Sequence, residues 1–149
     1  MALKEGDRIP AFSVKNQKGK TVTPESLKGK KVALFFYSEA GTPTCTLQAC
    51  NMRDNYKLLK KAGYTVLGIS PDTVEKQQKF IEKCQLPYDV LADTELEAAK
   101  AFGVWDWKTL FGNTYMGIHR TTFIIDENGI ITNIIRKVQS KKHADQILK

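Results

Sequence analysis

An unbroken apolar run, Val32 to Tyr37, constrains the fold more than any other feature of this chain. An apolar run of this length between lysines and turn residues is typical of a buried central strand. A Gly/Thr/Pro turn follows, and from Pro43 to about Ala62 apolar residues recur at helical spacing until Gly63. Glycine is the residue that commonly ends a helix. The sequence therefore predicts a buried strand, a sharp turn and a helix in succession.

Apolar runs and helical patterns continue to alternate along the rest of the chain. The other predicted strands span 9–14, 65–70, 89–92, 121–126 and 130–138, and the other predicted helices span 73–84, 94–102 and 143–148. An irregular segment with Trp105 and Trp107 precedes the last two strands, which flank Glu127-Asn128-Gly129. Asn-Gly between two β-rich runs is a strong hairpin signal. This order predicts an α/β fold, with a central mixed sheet flanked by helices and with its last two strands antiparallel.

Length and composition narrow the class of protein. A chain of 149 residues without repeats or linkers fits a single domain, 1–149. No run approaches the ~20 apolar residues that cross a bilayer, and the N-terminus lacks a secretory signal pattern, so we expect a cytoplasmic protein without a membrane partner. The net charge of +7 comes from lysines scattered among acidic residues. It forms no basic stripe, and we expect no nucleic-acid partner.

The three cysteines are the candidates for chemistry. Cys45 falls in the first turn of the predicted helix, where unpaired backbone N–H groups and the helix dipole favour a thiolate. Cys50 lies five residues on, and on an intact helix the two Cα atoms would be roughly 8.5 Å apart, beyond the roughly 7 Å limit for a disulfide. The pair can act as a nucleophile and its resolving partner only if the helix unwinds between them. The alternative is that these thiols, and Cys84 on the next helix, are simply small buried side chains.

The motif Thr42-Pro43-Thr44-Cys45-Thr46, with Cys50 behind it, resembles the active-site loop of the peroxiredoxins. The likeness is in particular to the bacterioferritin comigratory protein, or peroxiredoxin Q, subfamily, and it runs nearly the full length of the chain. The family pattern is Pro-x-x-x-Thr/Ser-x-x-Cys together with a distant Arg. Thr42, Cys45 and Arg120 match this pattern, whereas Ser38 stands where the family has proline.

The resemblance implies a thioredoxin-like (peroxiredoxin) fold and a thiol-dependent peroxidase that reduces hydrogen peroxide and organic hydroperoxides. By the same resemblance Cys45 attacks the peroxide, Thr42 and Arg120 position it and stabilise charge, and Cys50 forms an intramolecular disulfide with Cys45. Thioredoxin or a similar dithiol would be the reductant, and relatives are often monomers. Some relatives carry the resolver on the next helix, which makes Cys84 the second candidate. No cofactor or metal is expected, because the cysteines and histidines lack zinc spacing.

Two questions stay open at this point. Ser38 either leaves the site looser and wetter than proline would, or supplies a hydroxyl beside Cys45. Two alternative functions also fit parts of the sequence. A thiol–disulfide carrier or redox sensor would use the same cysteines but favours Cys-x-x-Cys, which is absent. A basic module that binds nucleic acid would keep its activity without Cys45 and would lose affinity steeply with salt.

Overall fold

Nine strands and five helices make up the fold in the computed structural model, which describes residues 3–148, the side chain of Leu110 excepted. The strands are β1 (Val14–Asn16), β2 (Thr21–Val22), β3 (Lys31–Phe36), β4 (Tyr64–Ser70), β5 (Asp89–Ala92), β6 (Trp105–Leu110), β7 (Asn113–Ile118), β8 (Thr122–Ile125) and β9 (Ile131–Ile135). The helices are α1 (Pro43–Asp54), α2 (Tyr56–Lys61), α3 (Val74–Cys84), α4 (Glu97–Ala101) and α5 (His143–Leu148), and a short 3₁₀ turn spans Glu25–Leu27.

Seven of the strands form one mixed sheet in the order β2-β1-β5-β4-β3-β8-β9. The three inner strands β3, β4 and β5 are parallel, and β8 runs antiparallel to both β3 and β9. The apolar run at β3 is thus a central strand, and the predicted hairpin of β8 and β9 is present. Gly129 in its turn has a φ of +78°, a conformation that glycine adopts without strain.

The alternating side chains of β3 divide the core into two layers. Val32, Leu34 and Phe36 face a layer that includes α4 and the N-terminal segment. Ala33 and Phe35 face the other layer, which includes buried residues of α1, α2, α3 and α5. Because side chains of a strand alternate between faces, one apolar strand can serve both layers. The C-terminal end of β3 leads directly into the helix that packs on this second layer.

The predicted helix 43–62 is two helices, which corrects the sequence-based prediction. α1 ends at Asp54 and α2 begins at Tyr56. Between them Asn55 has φ −109° and ψ 14°, and its side-chain amide donates to the main-chain oxygen of Asn51 at 2.9 Å. Asparagine competes for backbone hydrogen bonds in this way, which weakens a helix interior. The apolar spacing continues across the break, and for that reason the pattern alone did not show it.

Two further predictions were wrong. The strand predicted at 9–14 is not formed; the strand there is β1, which begins at Val14 and pairs with β2 and β5. The segment around Trp105 and Trp107, predicted to be irregular, is a two-stranded hairpin of β6 and β7. Its turn places Phe111 and Gly112 at φ 51° and 78°. A phenylalanine in the left-handed region is uncommon, so this turn carries no standard sequence signal.

Within residues 3–148, none of the helices is both long enough and apolar enough to cross a membrane.

Candidate active site

Cys45, the candidate nucleophile, lies in the first turn of α1, just after the loop that follows β3. Thr42 is extended, with φ −72° and ψ 152°, and its carbonyl accepts the first helical hydrogen bond from the Thr46 N–H at 2.8 Å. Pro43 takes the first helical position, where its missing N–H costs nothing. Cys45 is therefore the third residue of α1 and is only 2% exposed. As the sequence predicted, its thiol sits in the first turn of a helix.

The loop between β3 and α1 is held by Asp72, which follows β4. Its carboxylate accepts from the Ala40 N–H at 2.7 Å and from the Ser70 hydroxyl at 2.6 Å. Lys76 bridges the same carboxylate and Glu39, at 3.1 Å and 2.6 Å. This support was not predicted from the sequence. A signal for it existed, because parallel strands β3 and β4 end at one edge of the sheet and residues that follow them meet there.

Ser38 brings a hydroxyl to the candidate nucleophile. Its Oγ lies 3.5 Å from the Sγ of Cys45. Of the two possibilities left open by the sequence, the structure supports the second: the serine places a polar group against the sulfur, and the sulfur itself stays buried. A hydroxyl in this position can donate to a thiolate, which a proline ring cannot do.

The pKa of Cys45 lies below the ordinary value of a cysteine thiol. Burial alone would raise it, but hydrogen bonds from the Thr42 hydroxyl, the Glu39 backbone and Ser38 outweigh that effect. The first turn of α1 adds the positive end of the helix dipole. A buried thiol that is nevertheless stabilised as thiolate is poised for attack on an electrophile rather than for packing.

The Thr42 hydroxyl has two possible acceptors and a single proton to give. In the structure it donates to the main-chain oxygen of Glu39 at 3.0 Å, while the Cys45 sulfur also lies within its reach. A hydroxyl rotates at little cost. It can therefore turn from the carbonyl to the thiolate, or to an oxygen bound beside that thiolate.

Thr42→Val, which keeps the shape and removes the hydroxyl, is expected to lower kcat/KM for the peroxide substrate that the resemblance implies by about 10²-fold, the usual effect of losing one well-placed donor. The pKa of Cys45 should rise in the same variant, which iodoacetamide alkylation against pH would measure. Thr42→Ser is the matched control, because it restores the hydroxyl, and should retain most of the activity. Equal losses in both variants would show that Thr42 acts through packing instead.

Arg120 reaches this edge of the sheet from the segment before β8. The carbonyl of the next residue, Thr121, accepts from the Phe36 N–H at 2.9 Å, which sets Arg120 beside the end of β3. Its half-buried guanidinium donates to the Ser140 hydroxyl at 2.8 Å. The hydrogen bonds of the described residues thus join Cys45 to Ser38 and Arg120 to Ser140. The hydrogen bond between Phe36 and Thr121 brings the backbone of Arg120 to the edge of the sheet where Cys45 lies, whereas the guanidinium is bonded to Ser140.

His143 at the start of α5 is fully buried near Arg120. Its ring nitrogens lie 2.6 Å from the Thr122 hydroxyl and 2.9 Å from Gln146 Oε1. Burial lowers its pKa, and the positive charge of Arg120 adds to that effect, while the bond to Gln146 opposes it. Because Gln146 Oε1 only accepts, Nδ1 carries the proton and Nε2 accepts from Thr122.

Folding stability should fall as the pH drops through about 6.5, the ordinary histidine pKa. Below that pH the unfolded chain binds a proton at residue 143 that the folded chain resists. The free energy of unfolding therefore falls by up to about 1.4 kcal/mol per pH unit until the folded pKa is reached. Urea unfolding between about pH 7 and pH 5.5, above most carboxylate titrations, would measure this slope. His143→Gln should flatten it, and His119→Gln, an exposed site, should not.

Gln48 was not singled out from the sequence. It lies one turn after Cys45 on α1 and is fully buried, and neither its Nε2 nor its Oε1 has a hydrogen-bond partner among the described residues. An unpaired buried amide costs about 1–3 kcal/mol. Such a group beside a nucleophile is unusual in a region that serves only packing.

Cys50 and Cys84 are neighbours, and they line a cleft that Cys45 does not line. Cys50 is half-buried on the exposed side of α1, and Cys84 is the last residue of α3. Burial raises the pKa of Cys84, and the adjacent Cys50 raises it further. All three cysteines are free thiols in the structure. Within residues 3–148, no group of three or more His, Cys, Asp or Glu side chains could hold a metal ion.

Comparison with known proteins identifies the family of the chain. The AhpC/TSA family model matches residues 6–134. Peroxiredoxin Bcp of Escherichia coli K12 is 44% identical over 146 residues, covering 98% of this chain and 94% of the relative. Peroxiredoxin Bcp of Bacillus subtilis is 40% identical over 148 residues, covering 99% and 94%. Fold, site and relatives together define a thiol-based peroxidase class.

Two solved structures resemble the fold closely. BcpB of Mycobacterium tuberculosis superposes with a TM-score of 0.85 at 36% identity, covering 98% of this chain and 94% of that one. The bacterioferritin comigratory protein of Xanthomonas campestris, studied for its alkyl peroxide reduction activity, gives 0.86 at 27% identity, covering 92% and 87%. The chain belongs to the AhpC/TSA family, among the peroxiredoxins of the bacterioferritin comigratory protein and peroxiredoxin Q type. The predicted thioredoxin-like α/β fold is confirmed, and the chain is a thiol-dependent peroxidase.

Proposed function

We propose that this chain reduces hydrogen peroxide and organic hydroperoxides in a two-cysteine cycle, with Cys45 as nucleophile, Cys50 as resolving thiol and thioredoxin or a similar dithiol protein as reductant. The observation that carries the proposal is the buried Cys45 sulfur in the first turn of α1, with a lowered pKa and a serine hydroxyl 3.5 Å away. The alkyl peroxide activity of the Xanthomonas relative supports the wider substrate range.

The first step is attack of the Cys45 thiolate on one peroxide oxygen. The O–O bond breaks, the sulfur becomes a sulfenic acid, and the second oxygen leaves as water or an alcohol once it has taken a proton. The helix N-terminus and the Thr42 hydroxyl would stabilise the charge that develops on the departing oxygen. Arg120 takes part if its guanidinium turns from Ser140 towards the bound peroxide, a movement within the reach of a long side chain.

In the second step the Cys50 thiol condenses with the sulfenic acid, and water leaves as the disulfide forms. The two residues lie on one intact helix, so the first turn of α1 must unwind. Hydrogen bonds to other elements hold the later part of α1 in place. Tyr88 Oη donates to the Ala49 oxygen at 2.9 Å, Asn51 accepts from the Ala144 N–H at 2.8 Å, and Arg53 donates to the Cys84 oxygen at 2.6 Å. Cys45 is therefore the partner that moves.

Residues at the moving end favour this change. Thr44 and Thr46 flank Cys45, and β-branched residues lose side-chain freedom in a helix. The reductant's thiolate then attacks the disulfide and restores both thiols by exchange, with the two electrons coming from the dithiol. We further propose that residues 1–149 work as one domain, as a cytoplasmic monomer, with no metal or cofactor.

The cycle is tested by adding one equivalent of hydrogen peroxide to the reduced protein and following its intact mass. We expect rapid loss of two hydrogens, with a Cys45–Cys50 link as the first bridge in peptide maps of samples quenched early. Survival of all three thiols, or oxidation no faster than that of a free cysteine, would contradict the proposed function.

A further inference from the structure

Cys50 and Cys84 line a single cleft between α1 and α3. The cleft has a volume of about 430 Å³, and its walls include Thr46 and Leu47 from α1 and Phe80 and Lys83 from α3. Cys45 is not among its lining residues. The fold therefore separates the thiols into a buried nucleophile and a pair that shares an open cleft.

The pair is held together by contacts of its own neighbours. Arg53, three residues after Cys50, donates through Nη1 to the main-chain oxygen of Cys84 at 2.6 Å, which ties the middle of α1 to the end of α3. The two thiols are near enough for Cys50 to raise the pKa of Cys84. A Cys50–Cys84 bridge would join α1 to α3, and these two helices are already in contact in the reduced fold.

We propose that Cys84 is a third redox-active cysteine, which takes over the disulfide from Cys45 and stores it as a Cys50–Cys84 bridge in this cleft. The proposal rests on the two-cysteine cycle above. The Cys84 thiolate attacks the Cys50 sulfur of the Cys45–Cys50 bridge, the S–S bond to Cys45 breaks, and Cys45 leaves as a thiolate. One disulfide is lost and one is formed, the proton of Cys84 passes by way of solvent to Cys45 or remains in solution, and no outside oxidant or reductant is needed.

Helix refolding drives this exchange. A Cys45–Cys50 bridge holds the first turn of α1 open, since residues five apart on a helix lie beyond disulfide reach. A Cys50–Cys84 bridge joins two elements that pack together with α1 intact. Exchange therefore lets the turn reform and returns Cys45 to the hydroxyls of Ser38 and Thr42.

The reactivities of the thiols also favour this direction. Cys45 has a lowered pKa, and a thiol of lower pKa leaves faster. Burial is the main cause of the raised pKa of Cys84, and the neighbouring Cys50 adds to it, whereas Arg53 and Lys83 oppose that rise. Once Cys50 is bound in a disulfide, its contribution to the raised pKa of Cys84 is lost, while burial still raises that pKa and the two cations still lower it.

The exchange changes which sulfur atoms are available to the reductant and to the peroxide. The reductant meets a disulfide in an open cleft, with half-buried Cys50 as the accessible sulfur. The peroxide meets a Cys45 that is reduced again before the reductant has arrived. One molecule can thus accept a second peroxide equivalent, which the plain two-cysteine cycle does not allow.

A time-resolved oxidation tests the proposal. Reduced protein receives one equivalent of hydrogen peroxide, and samples are quenched in acid, alkylated at low pH and digested with pepsin so that disulfides do not exchange. A second equivalent is then added with dimedone, which labels sulfenic acids. The variants are Cys84→Ser and, as a matched control on an exposed position of the same helix, Glu82→Ser.

In the wild type we expect a Cys45–Cys50 link first and a Cys50–Cys84 link later, with alkylation of Cys45 recovering as the second link appears. The second equivalent should then leave a dimedone adduct on Cys45. Cys84→Ser should keep the Cys45–Cys50 link and give no adduct, and Glu82→Ser should behave as the wild type.

Each contrary outcome has a distinct meaning. A Cys45–Cys50 link that persists in the wild type overturns the exchange but leaves the two-cysteine cycle standing. A Cys45–Cys84 link that forms first overturns both the exchange and the role of Cys50. Failure of Cys45 to oxidise at all overturns the proposed function, and the exchange with it.

Discussion

Cys45→Ser is expected to abolish peroxide reduction, lowering kcat/KM by at least about 10⁴-fold, since loss of a covalent nucleophile removes the step that the rest of the site serves. Serine preserves the size of the side chain but is not ionised near neutral pH. The buried cysteine lies among small apolar neighbours such as Ala40 and Ala49, so the fold should remain intact. Peroxide consumption with a dithiol reductant, together with stopped-flow oxidation in the absence of reductant, would measure the effect.

Glu82→Ser serves again as the control, because it lies outside the described contacts of Cys45. It should react with peroxide at the wild-type rate. Oxidation of the remaining thiols at an undiminished rate in Cys45→Ser would mean that another cysteine is the nucleophile. The lowered pKa of Cys45 would then need a different explanation.

Cys50→Ser is expected to leave the first oxidation fast and to stop the cycle after it. Cys45 should be oxidised once, remain as a sulfenic acid and be labelled by dimedone. Turnover with the dithiol should fall by roughly 10²-fold or more, because a bimolecular reaction replaces an intramolecular one. Non-reducing peptide maps and steady-state rates would separate the two effects.

The matched comparison is Cys84→Ser, which keeps both cysteines of the proposed cycle and should still form its first disulfide rapidly. An intramolecular bridge in Cys50→Ser would join Cys45 to Cys84. That result would make Cys84 the resolving thiol and would show the assignment of Cys50 to be wrong.

Three predictions that depend on local pattern were confirmed in the structure. The apolar run at 32–37 required burial on both faces, and β3 is an inner strand of the sheet with one core layer on each side. The Gly/Thr/Pro turn and Pro43 set where α1 begins, and with it the place of Cys45. The Asn128-Gly129 turn likewise determined the hairpin of β8 and β9.

Features that depend on distant contacts were not predicted from the sequence. Asp72 supports the Ala40 amide from 32 positions away, and only the parallel pairing of β3 with β4 brings them together. The hydroxyl of Ser38 was one of two possibilities until its distance to Cys45 was known. The roles proposed for Cys45, Thr42, Cys50 and Arg120 stay predictions.

The break at Asn55 limits how far α1 can unwind on oxidation, so that limited proteolysis could detect the oxidised form. α2 is a separate helix, so unwinding of the first turn of α1 need not spread to residue 56 and beyond. Hydrogen bonds at Ala49 and Arg53 hold the later part of α1, so that unwinding is confined to the residues before Ala49. A protease that prefers leucine would find Leu47, already 45% exposed, inside that stretch. A single early cut there would mark molecules in the Cys45–Cys50 form, and its later disappearance would time the closing of the helix.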